Sequence, residues 1–167
     1  MNDAYFMEKA LEQAKTALAV GEFPVGCVIA DQAHVIATGA RSGSAGSHPN
    51  ELDHAEINAL RCLQALDYNG STEELTLYST MEPCLMCFGA AVLNNISRIV
   101  YAYEDVMGGG TRCRMGELPP LYANAHIQII PDLMRAESLA LFKAFFSDPG
   151  QTYWQNSLLA QYTLSQG

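Results

Sequence analysis

Residues 77–87 read Leu-Tyr-Ser-Thr-Met-Glu-Pro-Cys-Leu-Met-Cys, an apolar run that ends at a proline and two closely spaced cysteines. Residues 75–79 predict a buried strand, and Pro83 ends it so that a helix can begin at Cys84 and reach about residue 94. Cysteines at positions i and i+3 of a first helical turn point the same way, and the helix dipole favours their thiolates. This stretch therefore predicts a strand that leads directly into a pair of metal-binding thiolates at Cys84 and Cys87.

A second fragment, His54-Ala55-Glu56, opens the helix predicted before that strand. The His54 imidazole adds a third ligand, and three protein ligands leave one tetrahedral position of a zinc ion open, as in catalytic sites. Zinc lowers the pKa of a bound water to about 7, and a carboxylate beside it can take the proton. The pattern thus predicts a hydrolytic zinc enzyme in which Glu56 carries protons without binding the metal.

Other interpretations of these residues remain at this stage. The cysteine pair alone also fits a redox dithiol or half of a structural zinc site, although neither explains Glu56. Glu56 alone is a common favourable charge in a first helical turn. Cys27 and Cys62 lie in apolar surroundings and are expected in the core, whereas Cys113 either approaches the site or is structural.

The remaining elements alternate between helices and strands. A long loop at residues 41–53, a turn at residues 67–72 and a glycine-rich loop at residues 108–110 separate them. The predicted helices lie at residues 3–21, capped by Asp3, and at 54–66, 84–94, 132–146 and 153–162; the predicted strands lie at 25–30, 34–38, 75–79, 98–103 and 126–130. This order predicts a three-layer α/β/α sandwich around a mixed sheet.

Length, composition and charge limit the function. The 167 residues, 49% hydrophobic and 16% charged, fit one compact domain, which we place at residues 1–147 with a tail at 148–167 that serves as a lid or an interface helix. No basic stretch precedes an apolar run at the N-terminus and no run approaches the ~20 residues of a membrane span, so a cytoplasmic protein is expected. The net charge of −9, with only nine Lys and Arg, disfavours nucleic acid as a partner.

The two fragments resemble the cytidine and deoxycytidylate deaminase superfamily, whose signature is H-x-E followed by P-C-x-x-C. Residues 54–60 and 77–87 are most similar to the branch with guanine deaminases and bacterial tRNA adenosine deaminases, and residues 23–29 resemble its first strand. The resemblance covers residues 1–147. It implies a mixed five-stranded sheet, Zn²⁺ as cofactor and a homodimer. It also implies attack of water on a ring carbon that bears an amine, with Glu56 passing protons to the ring nitrogen and the departing ammonia.

One position departs from the family pattern. Family members usually carry an asparagine shortly after the second strand, where it contacts the base or sugar, and this chain has Arg41 there. Arg41 is either a solvated loop residue or a group that binds an acidic or carbonyl-rich part of an unusual substrate. Asn50 could replace the missing amide if the loop folds back.

Three further residues are predicted substrate contacts. Glu104 and Asp105 follow a strand and either accept hydrogen bonds from substrate amino groups or are solvated, and Trp154 either packs on the body or closes the pocket. The basic C-terminal helix of tRNA-editing relatives is missing, since no Lys or Arg follows Lys143. We therefore expect a small amino-heterocycle as substrate: a guanine- or cytosine-like nucleobase first, a nucleoside or nucleotide next. The alternatives are tRNA adenosine deamination and a catalytically silent zinc-binding partner subunit.

Overall fold

A computed structural model describes residues 2–66 and 68–167; Asp67, in the predicted turn at residues 67–72, lies outside the described residues. The helices are α1 (Asp3–Ala19), α2 (Ala55–Ala65), α3 (Leu85–Leu93), α4 (Pro120–Ala123), α5 (Arg135–Ser147) and α6 (Leu158–Ser165). The strands are β1 (Gly26–Ala30), β2 (Val35–Ala40), β3 (Thr76–Met81), β4 (Arg98–Tyr103) and β5 (Gln128–Ile130). No helix among the described residues combines the length and apolar character needed to cross a membrane.

The five strands form one mixed sheet in the order β2-β1-β3-β4-β5. β1 pairs antiparallel with both β2 and β3, whereas β3–β4 and β4–β5 are parallel. The carboxyl ends of the parallel strands β3 and β4 meet at one edge, which is where α/β folds place their ligand sites. The predicted fold class, with its mixed five-stranded sheet, is confirmed.

Alternation along the strands separates two apolar cores, one on each face of the sheet. Val28, Tyr78 and Val100 point to the face that α1 covers, together with Phe6 and Met7 of that helix. The opposite face, which includes Ile29 and Ile99, packs against residues of α2 and α3. This second core lies under the two helices that carry the cysteine and histidine motifs.

The structure corrects several local predictions. The cap of α1 is Asn2, whose side chain accepts a hydrogen bond from the Tyr5 N–H, whereas Asp3 forms an ion pair with Arg98 at 2.7 Å. The last helix does not begin at Tyr153 but at Leu158, capped by Ser157, because residues 151–157 form turns that end near the site. The short helix α4 was not predicted.

Candidate active site

The metal-binding motifs occupy the N-terminal ends of two neighbouring helices. His54 is the N-cap residue of α2 and Cys84 is that of α3, with Cys87 one turn further along. The ligand atoms of these three residues all lie within 4.8 Å of one another. The fold thus brings together donors that are 30 and 33 positions apart in sequence.

The geometry of these donors fits a tetrahedral zinc ion. His54 Nδ1 lies 3.5 Å from the Sγ atoms of both Cys84 and Cys87. Zn–S bonds of about 2.3 Å and a Zn–N bond of about 2.0 Å place tetrahedral sulfur and nitrogen ligands about 3.5 Å apart. Hydrogen bonds from Cys87 and His54 lower the pKa of Cys84 to about 4, so one thiolate is present at neutral pH. The donor set therefore matches the ion in both distance and chemistry.

Glu56 lies in the first turn of α2 and is 3% exposed. Its Oε1 accepts a hydrogen bond of 2.9 Å from the Ser79 hydroxyl of β3. Burial, and after it the neighbouring Cys84 thiolate, raises the pKa of the Glu56 carboxyl above its usual range. The positive charge of a bound zinc ion would oppose this rise in the pKa of Glu56. A buried carboxylate that accepts from the Ser79 hydroxyl and lies beside the ligands has the surroundings of a proton carrier.

A cavity of about 150 Å³ opens directly beside these residues. His54, Glu56 and Cys84 line its metal side. Its apolar and aromatic walls are formed by Phe23, Val25, Met81, Met107, Tyr153, Trp154 and Leu159. Pockets for drug-sized ligands measure about 300–1,000 Å³, so this volume suits a single ring system. The flat aromatic and apolar walls suit the faces of a heterocycle.

Arg41 lines the cavity and is not the solvated residue that one interpretation expected, since it is 3% exposed. Its guanidinium donates to the carbonyl oxygens of Ser42, Asn50 (2.7 Å) and Asp53 (3.0 Å). It also lies 3.6 Å from the Glu51 carboxylate. Arg41 therefore holds the loop at residues 42–53 together from within. Asn50 contributes its backbone carbonyl here, and its side chain bonds to Asp53 and Leu52 rather than lining the cavity.

The two predicted acidic contacts separate in the structure. Asp105 lines the cavity, whereas Glu104 does not and is instead bound by Arg135 and by the Tyr162 hydroxyl, both at 2.5 Å. Successive residues at the end of a strand point to opposite sides, so only one of the pair can face the site. The geometry gives no support to Glu104 as a substrate contact.

The tail reaches the cavity through a contact that the sequence did not indicate. Trp154 lines the cavity in a left-handed backbone conformation (φ 57°), and Tyr153 beside it donates a hydrogen bond of 2.9 Å to Glu51. Leu159 of α6 is buried in the main core. Within this chain the tail therefore forms a wall of the site of its own subunit.

Among the described residues, the group that could hold a metal contains neither Cys27, Cys62 nor Cys113. Cys27 is fully buried, as expected, and Cys62 and Cys113 are partly exposed. Burial raises the pKa of the Cys27 thiol well above its usual range, so it remains protonated. The metal site therefore draws on two of the five cysteines.

The pattern of the cytidine and deoxycytidylate deaminase zinc-binding region matches residues 1–103 of this chain. The chain belongs to this family. Zinc is therefore the cofactor of this deaminase, and His54, Cys84 and Cys87 form a site that could hold it. The family carries out hydrolytic deamination, which breaks a C–N bond and agrees with the open ligand position and the buried carboxylate.

Named relatives agree with the branch that the sequence resembles. A tRNA-specific adenosine deaminase of Streptococcus pyogenes serotype M18 (strain MGAS8232) is 32% identical over 143 residues, which cover 85% of this chain and 88% of that protein. The structure of NE0047 in complex with 2,6-diaminopurine shares 25% identity (TM-score 0.71, 90% of this chain and 85% of that chain). A guanine deaminase from Nitrosomonas europaea has the same fold (TM-score 0.68, 24% identity, 85% of this chain and 83% of that chain).

The first of these relatives conflicts with one sequence-based expectation. Its name states that it acts on tRNA, whereas the net charge of −9 led us to disfavour nucleic acid as a partner. Net charge describes the average surface of a protein, and a local patch can differ from that average. Net charge alone therefore does not exclude an RNA substrate for this deaminase.

The deaminase site contains residues that sequence reasoning missed, above all Glu82. Its side chain is fully buried, and its two carboxylate oxygens accept hydrogen bonds from the Asp105 N–H (3.1 Å) and the Thr111 hydroxyl (2.5 Å). Gly109 packs so closely on this carboxylate that an added Cβ would lie 2.4 Å from it. The signal for Glu82 was a lone carboxylate between an apolar strand and Pro83. Glu51 and Tyr153 had no comparable signal.

Proposed function

We propose that this protein is a zinc-dependent deaminase of a small amino-heterocycle, with a purine-like nucleobase as the first choice. Water would replace an exocyclic amine on the ring, so that a C–O bond forms, a C–N bond breaks and ammonia leaves. The observation that carries this proposal is the small cavity with apolar and aromatic walls beside the His54–Cys84–Cys87 cluster and Glu56. The relative bound to 2,6-diaminopurine supports a purine-like ring.

Each side chain of the site has a distinct part in this reaction. His54, Cys84 and Cys87 would hold zinc, which when bound acidifies water and supplies the nucleophile of the hydrolysis. Glu56 would take a proton from that water, deliver it to the ring nitrogen and carry the next one to the departing amine. The Ser79 hydroxyl fixes one Glu56 oxygen and so orients the carboxylate beside the metal ligands. The apolar walls keep bulk water away from the ring.

An unphosphorylated ring is favoured over a nucleotide. Arg41 is the one basic side chain, besides His54, among the described residues that line the cavity. Its guanidinium already donates to three backbone carbonyls and faces Glu51. A phosphate would find no free cation there, and the other charged groups lining the cavity are carboxylates: Glu51, Glu56, Glu82 and Asp105. Phosphate binding normally uses freely available Arg or Lys donors.

A second proposal, deamination of adenosine in tRNA, is favoured by the Streptococcus relative. Against it stand the absence of Lys and Arg from residues 144–167 and the small volume, about 150 Å³, of the cavity that Tyr153 and Trp154 help to line. Ammonia release from zinc-loaded protein should be measured with free bases, nucleosides, nucleotides and tRNA. We expect turnover of free bases; activity on tRNA alone would replace the first proposal with the second.

Replacing Glu56 tests the proton carrier. Glu56→Gln preserves volume and the bond from Ser79 but cannot accept a proton, so we expect about one zinc per chain and a loss of at least about a hundredfold in kcat. Zinc is measured by metal analysis and turnover by ammonia release. Retained zinc with near-normal turnover would contradict the role of Glu56. It would also argue against a silent zinc-binding subunit, since turnover would remain.

We further propose that the protein is a cytoplasmic homodimer. The outward face of α3 supports association, because Leu85 and Leu93 are 62% and 58% exposed. Leu85 directly follows the zinc ligand Cys84, so a partner on this face would lie next to the metal site. Light scattering should give twice the mass of one chain; the mass of a single chain would rule out the dimer.

A further inference from the structure

Asp105 lines the cavity and is fixed by two backbone groups through one of its oxygens. Oδ1 of Asp105 accepts from the backbone N–H groups of Met107 and Gly108, each at 2.9 Å. Among residues 2–66 and 68–167, no donor reaches Oδ2. Of the other carboxylates that line the cavity, Glu82 has both oxygens bound, Glu56 is the proposed proton carrier, and the Glu51 side chain is 53% exposed and bound by the Tyr153 hydroxyl. Asp105 is thus a fixed carboxylate of the cavity lining with one acceptor oxygen, Oδ2, that no described donor meets.

The surroundings hold Asp105 in this orientation. Its own backbone N–H is bound by the buried Glu82, and the loop that follows returns to the metal site, where Gly109 pairs with Cys84 in a short β-bridge. An added Cβ on Gly110 would lie 2.7–2.9 Å from the backbone of Cys84 and Leu85. The carboxylate is therefore positioned on backbone that is packed directly against a zinc ligand. Its place is set before any ligand arrives.

We infer that Asp105 accepts a hydrogen bond from a second N–H or amino group of the substrate ring, so that the site selects diamino- or amino-oxo-purines over rings with a single amine. This inference rests on the proposed deaminase function. A ring whose first amine faces the zinc ligands would present its second donor to another residue of the cavity lining, to which Asp105 belongs. A partly buried carboxylate without that partner keeps an unmet desolvation cost, which penalises rings that lack the donor.

Two substitutions of Asp105 alter its second oxygen in different ways. In Asp105→Asn the carboxamide oxygen must stay at the Oδ1 position, because two N–H groups point at it. Its NH₂ group then occupies the Oδ2 position and faces the ring donor, so that an attraction becomes a clash between two donors. Asp105→Ser keeps an acceptor for the turn and simply removes the second oxygen.

The experiment compares 2,6-diaminopurine with adenine and 2-aminopurine, each of which lacks one of its two amines. We expect the wild type to favour 2,6-diaminopurine by about tenfold to a hundredfold in kcat/KM. Asp105→Asn and Asp105→Ser should reduce this preference to less than about threefold. Asp31→Asn is the matched control, because Oδ1 of Asp31 likewise accepts from two backbone N–H groups, those of Ala33 and His34, but Asp31 lies outside the cavity lining, so the preference should stay unchanged.

A binding measurement separates the failure of this inference from failure of the proposed function. In Glu56→Gln, calorimetry gives the dissociation constants of the same three rings without turnover. Ammonia release with a preference that Asp105→Asn and Asp105→Ser leave intact would overturn the inference alone. No ammonia from any ring, but preferential binding that depends on Asp105, would overturn the proposed reaction and keep the inference about the ligand. Neither ammonia nor binding would overturn both.

Discussion

At the scale of single residues, Arg41 shows how a position can line a site without being free to bind a ligand. The side chain is 2% exposed, and its planar guanidinium reaches three carbonyl groups of the loop at residues 42–53. It also lies over the Tyr153 ring, 5.8 Å from the centroid. Glu51 connects the same loop to the tail through the Tyr153 hydroxyl. Arg41 therefore organises two walls of the cavity at once.

Arg41→Lys is expected to loosen both walls. Lysine keeps the charge but cannot reach three carbonyls with a planar fork, so we expect a loss of about 1–3 kcal/mol in the free energy of unfolding and a raised KM. Urea denaturation and steady-state kinetics measure these changes. Arg61→Lys is the control, because Arg61 is 59% exposed and pairs only with surface groups; its effect should stay within about 0.5 kcal/mol. Equal effects of the two substitutions would contradict the role given to Arg41.

At the scale of elements, the position of α2 depends on close contact with β2. A Cβ added to Gly39 would lie 2.1 Å from the Ala55 carbonyl oxygen and 2.4 Å from the Ala59 nitrogen. α2 begins directly after His54 and contains Glu56. The contact with Gly39 therefore sets how close both side chains lie to the sheet. The neighbouring α3 has no such restriction at Gly89, where an added Cβ meets no atom within 4 Å.

Substitution of these two glycines by alanine should therefore change the stability of the protein in opposite directions. Gly39→Ala must push α2 away from the sheet, which should cost about 2–3 kcal/mol in the free energy of unfolding and lower the zinc content of the purified protein. Gly89→Ala should be neutral or stabilise by up to about 1 kcal/mol through helix propensity. Denaturant unfolding and metal analysis test both. A Gly39→Ala protein with normal stability and full zinc would show that α2 is not held by this contact.

The elements that the sequence predicted well are those determined by local patterns. The strand–proline–cysteine stretch placed Cys84 and Cys87 on the first turn of α3, and the position of His54 before α2 followed from the helical spacing of apolar residues. The tail was predicted less well, because residues 153–157 carry helical spacing but are held in turns by Tyr153, whose partner Glu51 lies 102 positions away. Local periodicity contains no information about such a contact.

At the scale of the whole molecule, partly buried ion pairs join parts of the chain that local patterns cannot connect. Arg98 of β4 binds Asp3 of α1 across 95 positions, with the Tyr78 hydroxyl donating to the same carboxylate. Glu104, at the end of β4, binds Arg135 of α5 and Tyr162 of α6. Neither pair was predicted, since the charges alone do not indicate which partners meet. The second pair fastens both C-terminal helices to the end of the sheet, and α6 in turn supports the wall of the cavity.

The stabilisation that Glu104 gains from Arg135 and Tyr162 should decrease as the pH falls from 4.5 to 2. Although burial opposes it, hydrogen bonds from Arg135 and Tyr162 lower the pKa of Glu104 to about 2, from a usual value of 4.5. Folding therefore favours the ionised form, and the stabilisation is complete above about pH 4.5 and is lost as the pH falls towards 2. We expect Glu104→Gln to lower the free energy of unfolding by about 1–2 kcal/mol at pH 7.

The pH dependence of that difference separates a charge effect from a packing effect. Glutamine has nearly the volume of a protonated glutamate, so wild type and Glu104→Gln should converge in stability between pH 4.5 and pH 2. Urea denaturation at a series of pH values measures the gap. A gap that stays constant down to pH 2 would mean that Glu104 acts through shape alone. A gap that closes would show that its negative charge, held by Arg135, keeps α5 and α6 on the sheet and the tail against the cavity.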